Sequence, residues 1–215
     1  MAFNVDYTVC IVVMALLTAV YVIAGGYMAT AINDFIQGIV MLVGIVAIIY
    51  SVLKIHGGFS GSLAALAEVS DPAASTVPGV FASFFGPDPA GLAGVILLTS
   101  LGTWGLPQMV QKFYSIKSEQ SIHTGTIIST LFAIIVAGGC YFLGGFGRIF
   151  NVDVASKGYD EIIPTMLSNL SPLIIGITLI LVLSASMSTL SSLVLTSSST
   201  LTLDFIVPLS KKKDV

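Results

Sequence analysis

Long apolar runs alternate with short polar segments along the whole chain, and this pattern predicts membrane spans. A helix needs about 20 predominantly apolar residues to cross the hydrocarbon core of a bilayer. Five runs approach that length, at about residues 8–24, 35–53, 90–116, 126–146 and 172–207. We therefore predict an all-α, polytopic membrane protein with about five transmembrane helices in a single transmembrane domain, residues 1–215.

Two polar stretches separate some of these runs. Residues 54–89 are rich in glycine and proline and are predicted to form a long loop with short interfacial helices at SLAALAEV and VFASFF. Residues 159–170 have the apolar spacing of a short amphipathic helix.

The third span carries Gly102, Gly105 and Pro107 close together, and these residue types predict a helix that is broken near 102–107.

Composition agrees with a membrane location. Of 215 residues, 55% are hydrophobic and 9% are charged, and the mean hydropathy is +1.01. The formal charge of −3 is spread through the polar segments and gives no basis for nucleic-acid binding. Cys10 and Cys140 both lie in apolar runs, so neither a disulfide framework nor a clustered metal site is expected.

The distribution of lysine and arginine predicts the orientation of the chain. Lys112, Lys117 and the lysines at 211–213 would lie on one side, and Lys54, Arg148 and Lys157 on the other. The triple-lysine tail places the C-terminus and the 112–123 loop in the cytoplasm. The N-terminus and the 54–89 loop are then extracellular, in a plasma membrane.

The last apolar run carries a face of small and hydroxylated residues. Residues three and four apart share a helix face, so Ala185, Ser188, Ser191 and Ser192 line up, with Thr189 beside them. Hydroxyl and carbonyl oxygens are hard, neutral donors of the kind that small hard cations accept. The alternative is that these small residues only let helices pack closely and hydrogen-bond across an interface.

Asp34 is the acid closest to the interior of a predicted span. A carboxylate at such depth is costly and therefore indicates a functional role. Asp34 followed by Gln37 also fits a capping box that would open the second span. Both interpretations, the ion site and the helix cap, remain open from the sequence.

The break in the third span also has two interpretations. Broken helices near the membrane midplane are where transporters bind solute, because the broken ends expose N–H and C=O groups. A plain proline kink is the alternative. Trp104 would be either a lid over a solute or a packing residue.

Two further patterns carry little weight. Gly58, Phe59, Ser60 and Gly61 match a GxSG pattern found around intramembrane serine nucleophiles, but they lie in a polar segment without a suitably placed base. His56 and His123 are predicted in different loops on opposite sides, which disfavours a shared metal site. An intramembrane hydrolase is thus the weakest of the functions considered, and no enzymatic activity is expected.

Three stretches together resemble the sodium:solute symporter family, whose relatives include bacterial sodium/proline and sodium/sugar transporters. They are VIAGGYMATAINDFIQGIVML (22–42), SLGTWGLPQMVQKFYSIKS (100–118) and LSASMSTLSSLVLTSSSTLTLDF (183–205). The resemblance extends from about residue 3 to about 208. The Leu-Pro-Gln step and the Lys-Phe-Tyr that follows it are closer to the sodium/proline branch.

This resemblance implies site residues. The carbonyl of Ala185 and the hydroxyls of Ser188 and Thr189 match the main sodium site of the family, and Na⁺ is the implied ion. A second sodium site in some members matches Asp34, Ser188, Ser191 and Ser192. The substrate-lining segment matches Ser100, Thr103, Trp104 and Pro107, where Thr103 replaces a frequent aromatic residue and Thr99 replaces a tryptophan of the proline carriers.

The resemblance also implies a fold of five plus five core helices in an inverted repeat, of which this chain matches core helices four to eight. We therefore expect a portion of a bacterial sodium-coupled symporter that needs the remaining transporter helices as partners. Its solute would be a small organic molecule, an amino acid or similar. The alternative is a membrane scaffold or assembly subunit without transport activity.

Overall fold

The structure is a computed structural model that describes residues 6–72, 74–114, 116, 118–152 and 154–210. The described residues form helices, with an isolated bridge between Asp71 and Ser75. The α-helices are α1 (Tyr7–Ile55), α2 (Phe59–Glu68), α3 (Pro89–Gly102), α4 (Pro107–Tyr114), α5 (Glu119–Gly145), α6 (Val154–Lys157), α7 (Ile162–Ser168), α8 (Pro172–Thr200) and α9 (Val207–Leu209). The predicted all-helical class is confirmed.

Helix α1 is 49 residues long and bends at Gly26, where φ is 58° and ψ is −156°. Asp6 caps its start by accepting a hydrogen bond from the Thr8 N–H at 2.8 Å, and this backbone hydrogen bond lowers the pKa of the Asp6 carboxyl. A straight helix of this length would measure about 70 Å, roughly twice the hydrocarbon thickness of a bilayer. The break therefore divides α1 into an N-terminal arm (7–25) and a C-terminal arm (27–55).

The connection between the first two predicted spans is shorter than expected. The sequence analysis leaves residues 25–34 between the first two predicted spans, yet the chain is helical again from residue 27. Asp34 consequently lies eight residues beyond the break, inside the C-terminal arm, and the capping-box interpretation of Asp34 and Gln37 is wrong. Gly26 makes the turn instead, because glycine adopts a backbone conformation that other residues avoid.

Helices long and apolar enough to cross a membrane occur at 8–55, 119–150 and 172–209, and Pro89–Gly102 is a shorter apolar helix. This confirms a multi-pass membrane protein. The five spans and their boundaries stay predictions, with the two arms of α1 matching the first two.

The third predicted span is interrupted as expected. Helix α3 ends at Gly102, α4 begins at Pro107, and residues 103–106 lie between them. Helix α5 begins at Glu119, earlier than the predicted 126, because Ser118 caps it by accepting the Ser121 N–H at 3.2 Å. The prediction of a loop over 112–123 is therefore wrong for most of its length, and His123 is helical.

The two polar stretches also form short helices. Helix α2 covers most of SLAALAEV, and a 3₁₀ turn at Val80–Ala82 begins VFASFF. A 3₁₀ turn at Tyr159–Glu161 leads into α7, where Met166 is fully buried. The amphipathic helix predicted at 159–170 thus has a buried face. Beyond α8 the chain continues as a π-helix, Leu201–Ile206, into α9.

The core lies where the C-terminal arm of α1 packs along α8 and, less extensively, along α5. Its buried members are apolar residues from α1, from the end of α5 and from the region of α7, namely Ile45, Ile48, Val52, Leu143, Met166 and Leu170. Gly44 permits a close approach to α8, since a Cβ built on it would lie 2.7 Å from Leu181 Cδ1. Close packing of these side chains holds α1 and α8 together as a helix pair.

Candidate functional site

The α1–α8 interface continues from this apolar core into the polar part of α8. Gly44 packs on Leu181, whereas Ile48 and Val52, later in α1, belong to the cluster against which Ile174 and Ile175, earlier in α8, pack. The two helices therefore run antiparallel. From this register we infer that Gln37 lies near the level of Ser188 and Asp34 near that of Ser191.

Buried and half-buried polar side chains occur on both of these packed helices. Thr30 and Gln37 of α1 are 3% and 7% exposed, and Ser191 of α8 is fully buried. Asp34, Ser188 and Ser192 are half-buried. Polar groups buried between helices at membrane depth need a partner in the bundle, in a wet cavity or in a bound ion.

Two hydroxyls on α8 donate their protons to their own helix. Ser191 Oγ donates to the Ser188 carbonyl at 2.9 Å, and Thr189 Oγ1 donates to the Ala185 carbonyl at 3.0 Å. A hydroxyl has one proton and two lone pairs, so a proton directed to the backbone leaves the lone pairs available as acceptors. This is the orientation in which a hydroxyl can coordinate a cation.

Helix α1 adds two acceptors that the sequence interpretation does not assign. Thr18 Oγ1 and Gln37 Oε1 are both buried, and neither has a hydrogen-bond partner among the residues that the structure describes. Tyr21, one turn from Thr18, donates its hydroxyl to the Met187 carbonyl of α8 at 3.2 Å. The N-terminal arm thus also contacts the polar part of α8.

The signal for Gln37 is present in the sequence. Thr30, Asp34 and Gln37 are four and then three residues apart, which places them on one helix face. If Asp34 were a helix cap, the helix would begin at Asp34 and Thr30 would lie outside it. The shared face of Thr30, Asp34 and Gln37 is therefore not recognised under that interpretation.

The residues matched to the main sodium site occupy two sides of α8. Ala185 and Thr189 border an open cavity of about 430 Å³ together with Ser186, Leu190 and Leu193. Ser188 lies half-buried and level with α1. The residues matched to the second site, Asp34, Ser188, Ser191 and Ser192, belong to the two elements that pack together at the α1–α8 interface.

The predicted substrate-lining residues lie at the break between α3 and α4. Ser100, Thr103 and Trp104 are exposed, Trp104 by 77%, and Thr103 Oγ1 donates to the Ser100 carbonyl at 3.2 Å. Pro107 begins α4 and borders a cavity of about 350 Å³ against the C-terminal end of α8. Pro107 is therefore the member of this set that approaches the polar helix.

The serine-nucleophile pattern has an ordinary structural explanation. Gly58, with φ of 92°, precedes α2, and Ser60 is exposed in the first turn of that helix. The His56 ring packs edge-on against Phe150 with ring centres 5.7 Å apart. Within the part of the chain that the structure describes, no group of three or more His, Cys, Asp or Glu residues is placed to hold a metal ion.

The antiparallel pair of helices with a hydroxyl-rich interface agrees with the sequence resemblance, and comparison with known proteins decides the family. The profile of the sodium:solute symporter family matches residues 1–214. The chain belongs to the sodium:solute symporter family.

Individual proteins that are similar to this chain include sodium symporters. The chain is 31% identical over 199 residues to a sodium/pantothenate symporter of Haemophilus influenzae, covering 91% of the chain, and 31% identical over 203 residues to that of Escherichia coli, covering 94%. It is 30% identical over 210 residues, or 95% of the chain, to a sodium/proline symporter of Staphylococcus aureus. The chain spans 40%, 41% and 39% of the length of these three relatives. No solved structure matches the chain.

Proposed function

We propose that this chain is a portion of a sodium-coupled secondary transporter that takes up a small organic solute into a bacterial cell. The observation that carries the proposal is that α1 packs along α8 with buried polar side chains on both helices, Gln37 and Ser191 among them. The family supplies the ion, because its members are sodium symporters. The donor set fits Na⁺, which prefers hard oxygen ligands over nitrogen or sulfur.

Two ion positions follow from the resemblance and the geometry together. The main sodium site would use the Ala185 carbonyl and the hydroxyls of Ser188 and Thr189. Because Thr189 donates to Ala185, this hydroxyl already has its lone pairs turned outward. The open cavity beside Ala185 and Thr189 is where helices outside this chain would complete the coordination.

The second sodium site would lie between α1 and α8. Asp34 supplies a charge, Ser188, Ser191 and Ser192 supply hydroxyls, and the buried Gln37 Oε1 offers a further neutral acceptor. A cation placed here would satisfy acceptors whose burial is otherwise costly. On the N-terminal arm, the buried Thr18 hydroxyl has no described hydrogen-bond partner and lies one turn before Tyr21, which contacts α8.

The solute would bind at the broken third segment. Ser100, Thr103, Trp104 and Pro107 border the break, and the exposure of the first three leaves them accessible to the transporter helices that lie outside this chain. The relatives are named for proline and pantothenate, and both are small organic acids. We infer a solute of this general kind, an amino acid or similar.

Coupling would operate by alternating access in the plasma membrane, with the C-terminus in the cytoplasm. The ion joins α8 to α1 and stabilises the outward-open conformation that accepts solute. Coupling requires only that Na⁺ binds this conformation better than the inward-open one.

A scaffold or assembly subunit without transport is the second candidate. The close approach of Gly44 to Leu181, and of Gly139 to Ile45 and Ile49, is the packing by which small residues hold membrane helices together. Under this alternative the hydroxyls of α8 would serve packing alone, and sodium would have no effect.

Solute uptake tests the proposal directly. Cells that express the complete transporter would be given radiolabelled proline or pantothenate in sodium buffer and in choline buffer of equal ionic strength. We expect uptake of one of these solutes or of a related small solute to rise with sodium and to saturate. Uptake that is the same in sodium and choline would contradict the proposal and favour the scaffold.

A further inference from the structure

Another cavity lies at the other end of the packed core, away from the hydroxyl face of α8. It encloses about 430 Å³ and is formed by the segment after α2, the turn after α5 and the start of α7. Ligand cavities in proteins commonly measure about 300–1,000 Å³, so a small metabolite fits. Its lining combines apolar residues, including Val152 and Ile162, with the polar residues Asp71, Arg148, Asn151 and Tyr159.

Asp71 and Arg148, two of the polar residues that line this cavity, form an ion pair. Arg148 Nη1 lies 3.0 Å from Asp71 Oδ2, and the two side chains are 44% and 39% exposed. The Arg148 guanidinium also lies over the Phe81 ring, with Cζ 4.3 Å from the ring centre. The pair therefore presents a positive and a negative group side by side to the cavity.

Arg148 has capacity for a further partner. A guanidinium carries five N–H donors in a planar fork, and the hydrogen bond to Asp71 uses Nη1. Stacking on Phe81 fixes the plane of this fork. A carboxylate is the partner that matches such a fork, because its two oxygens accept parallel hydrogen bonds.

Backbone packing holds the cavity open in a defined shape. Gly147 approaches α7 so closely that a Cβ on it would lie 2.6 Å from Ile162 Cγ2. Asn151 ends the turn in the left-handed conformation, with φ of 49° and ψ of 45°, which asparagine tolerates at such positions. The chain that follows this turn contributes Val152 and Val154 to the lining of the cavity.

We propose that this cavity binds a zwitterionic α-amino acid with a small apolar side chain. The carboxylate would contact Arg148, the ammonium group would contact Asp71, and the side chain would lie against the valines and Ile162. In an α-amino acid one carbon separates the two charged groups, so both can reach an ion pair whose members are in contact. A simple carboxylate would be repelled by Asp71, and a simple amine by Arg148.

The site is separate from the sodium face, and it lies on the side of the membrane that the charge pattern predicts to be extracellular. Its binding does not depend on sodium coupling. Measurement in potassium buffer therefore separates this proposal from the proposed transport function.

The test compares three ligands of nearly the same shape. The complete transporter in lipid nanodiscs would be titrated calorimetrically, in potassium buffer, with valine, isovalerate and valinamide. We expect saturable binding of valine and at least ten-fold weaker binding of the other two. Absence of valine binding by a chain that retains its helical circular dichroism, or equal binding of all three ligands, overturns the proposal.

Two charge-removing variants make the test sharper. Asp71→Asn should shift the preference towards isovalerate, and Arg148→Gln should shift it towards valinamide. Glu68→Gln, an exposed acid at the end of α2 outside the cavity, serves as the control and should keep the preference for valine. If the ion pair only holds the segment after α2 against the turn after α5, neither variant shifts the ligand preference, and the proposal fails. The preference among the three ligands is compared within each variant. Either variant alone therefore tests the proposal if the other does not fold.

Discussion

Individual oxygen atoms determine what the α1–α8 interface can bind. The hydroxyls of Ser191 and Thr189 direct their protons to carbonyls of their own helix, and the buried Gln37 Oε1 is an acceptor. Such lone pairs can accept a hydrogen bond from a neighbouring helix or coordinate a bound water or a cation. The sodium response of variants at these positions separates an ion site from ordinary packing of a serine-rich helix.

Ser188→Ala and Thr189→Ala should each raise the sodium concentration needed for half-maximal uptake by the complete transporter. Loss of a contact to a charged group costs about 1.5–3 kcal/mol, which corresponds to roughly ten-fold or more in sodium. The apparent solute affinity at saturating sodium should change less. Ser197→Ala is the matched control, because Ser197 is exposed and lies nine residues from Ser188, about 180° around the helix. If the solute affinity changes more than the sodium requirement, Ser188 and Thr189 belong to the solute site instead.

Gln37→Met should separate the effects of packing and of ion binding. Methionine has a similar unbranched shape and removes a buried acceptor that has no described hydrogen-bond partner, so stability in potassium should rise by about 1 kcal/mol. The additional stabilisation by sodium should fall. Melting temperatures in both salts measure the two effects, with the exposed Gln120→Met as control. Lower stability in potassium together with an unchanged sodium effect would remove Gln37 from the site.

At the scale of elements, two glycines determine how α1 meets α8. Gly26 turns the chain so that the N-terminal arm can also contact α8 through Tyr21, and Gly44 lets the C-terminal arm approach Leu181 closely. Both are requirements of backbone geometry. They position the polar residues of α1 against the hydroxyl face of α8.

Gly26→Ala should destabilise the protein by about 1–3 kcal/mol, because a residue with a Cβ is strained at φ of 58° and ψ of −156°. Gly94→Ala is the control: Gly94 lies in α3, no described neighbour lies within 4 Å of where its Cβ would be, and alanine there should be neutral or slightly stabilising. Thermal unfolding compares the two variants with the unaltered chain. Equal stability of Gly26→Ala and the unaltered chain would show that the turn does not constrain the fold.

The sequence predicts some of these elements better than others. The apolar runs identify α8 and both arms of α1, and Gly102, Gly105 and Pro107 mark the break before α4, because these signals are local. The start of α5 is also a local signal, since Ser118 is a capping residue, but the polar residues after it resemble a loop. Asp34 is misplaced because its capping motif competes with the stronger turn at Gly26.

Long-range pairings escape the sequence interpretation. Arg148 and Asp71 are 77 positions apart, and Tyr21 and Met187 are 166 apart. No periodicity within one chain reports such contacts. The hydroxyl spacing of α8 predicts the composition of the candidate site, whereas the contact of the N-terminal arm with α8 through Tyr21 has no signal in the sequence.

At the scale of the whole molecule, the chain belongs to a family of sodium symporters and spans about 40% of the length of its relatives. Helix α3, which the structure describes from end to end, has no buried residue, and the cavity beside Ala185 and Thr189 is open. These surfaces are suited to contact with the remaining transporter helices that we propose as partners. Helices α1 and α8 would then form one wall of an ion site that the complete transporter closes.

Hydrogen–deuterium exchange of the complete transporter in sodium and in potassium tests the proposed ion site most directly. Binding of an ion between α1 and α8 should slow exchange at residues 30–37 and 184–192 in sodium alone. Residues 94–102 of the exposed helix α3 should exchange alike in both salts, and Asp34→Asn should weaken the sodium effect. Identical exchange of both α1 and α8 in the two salts would contradict an ion site between these helices.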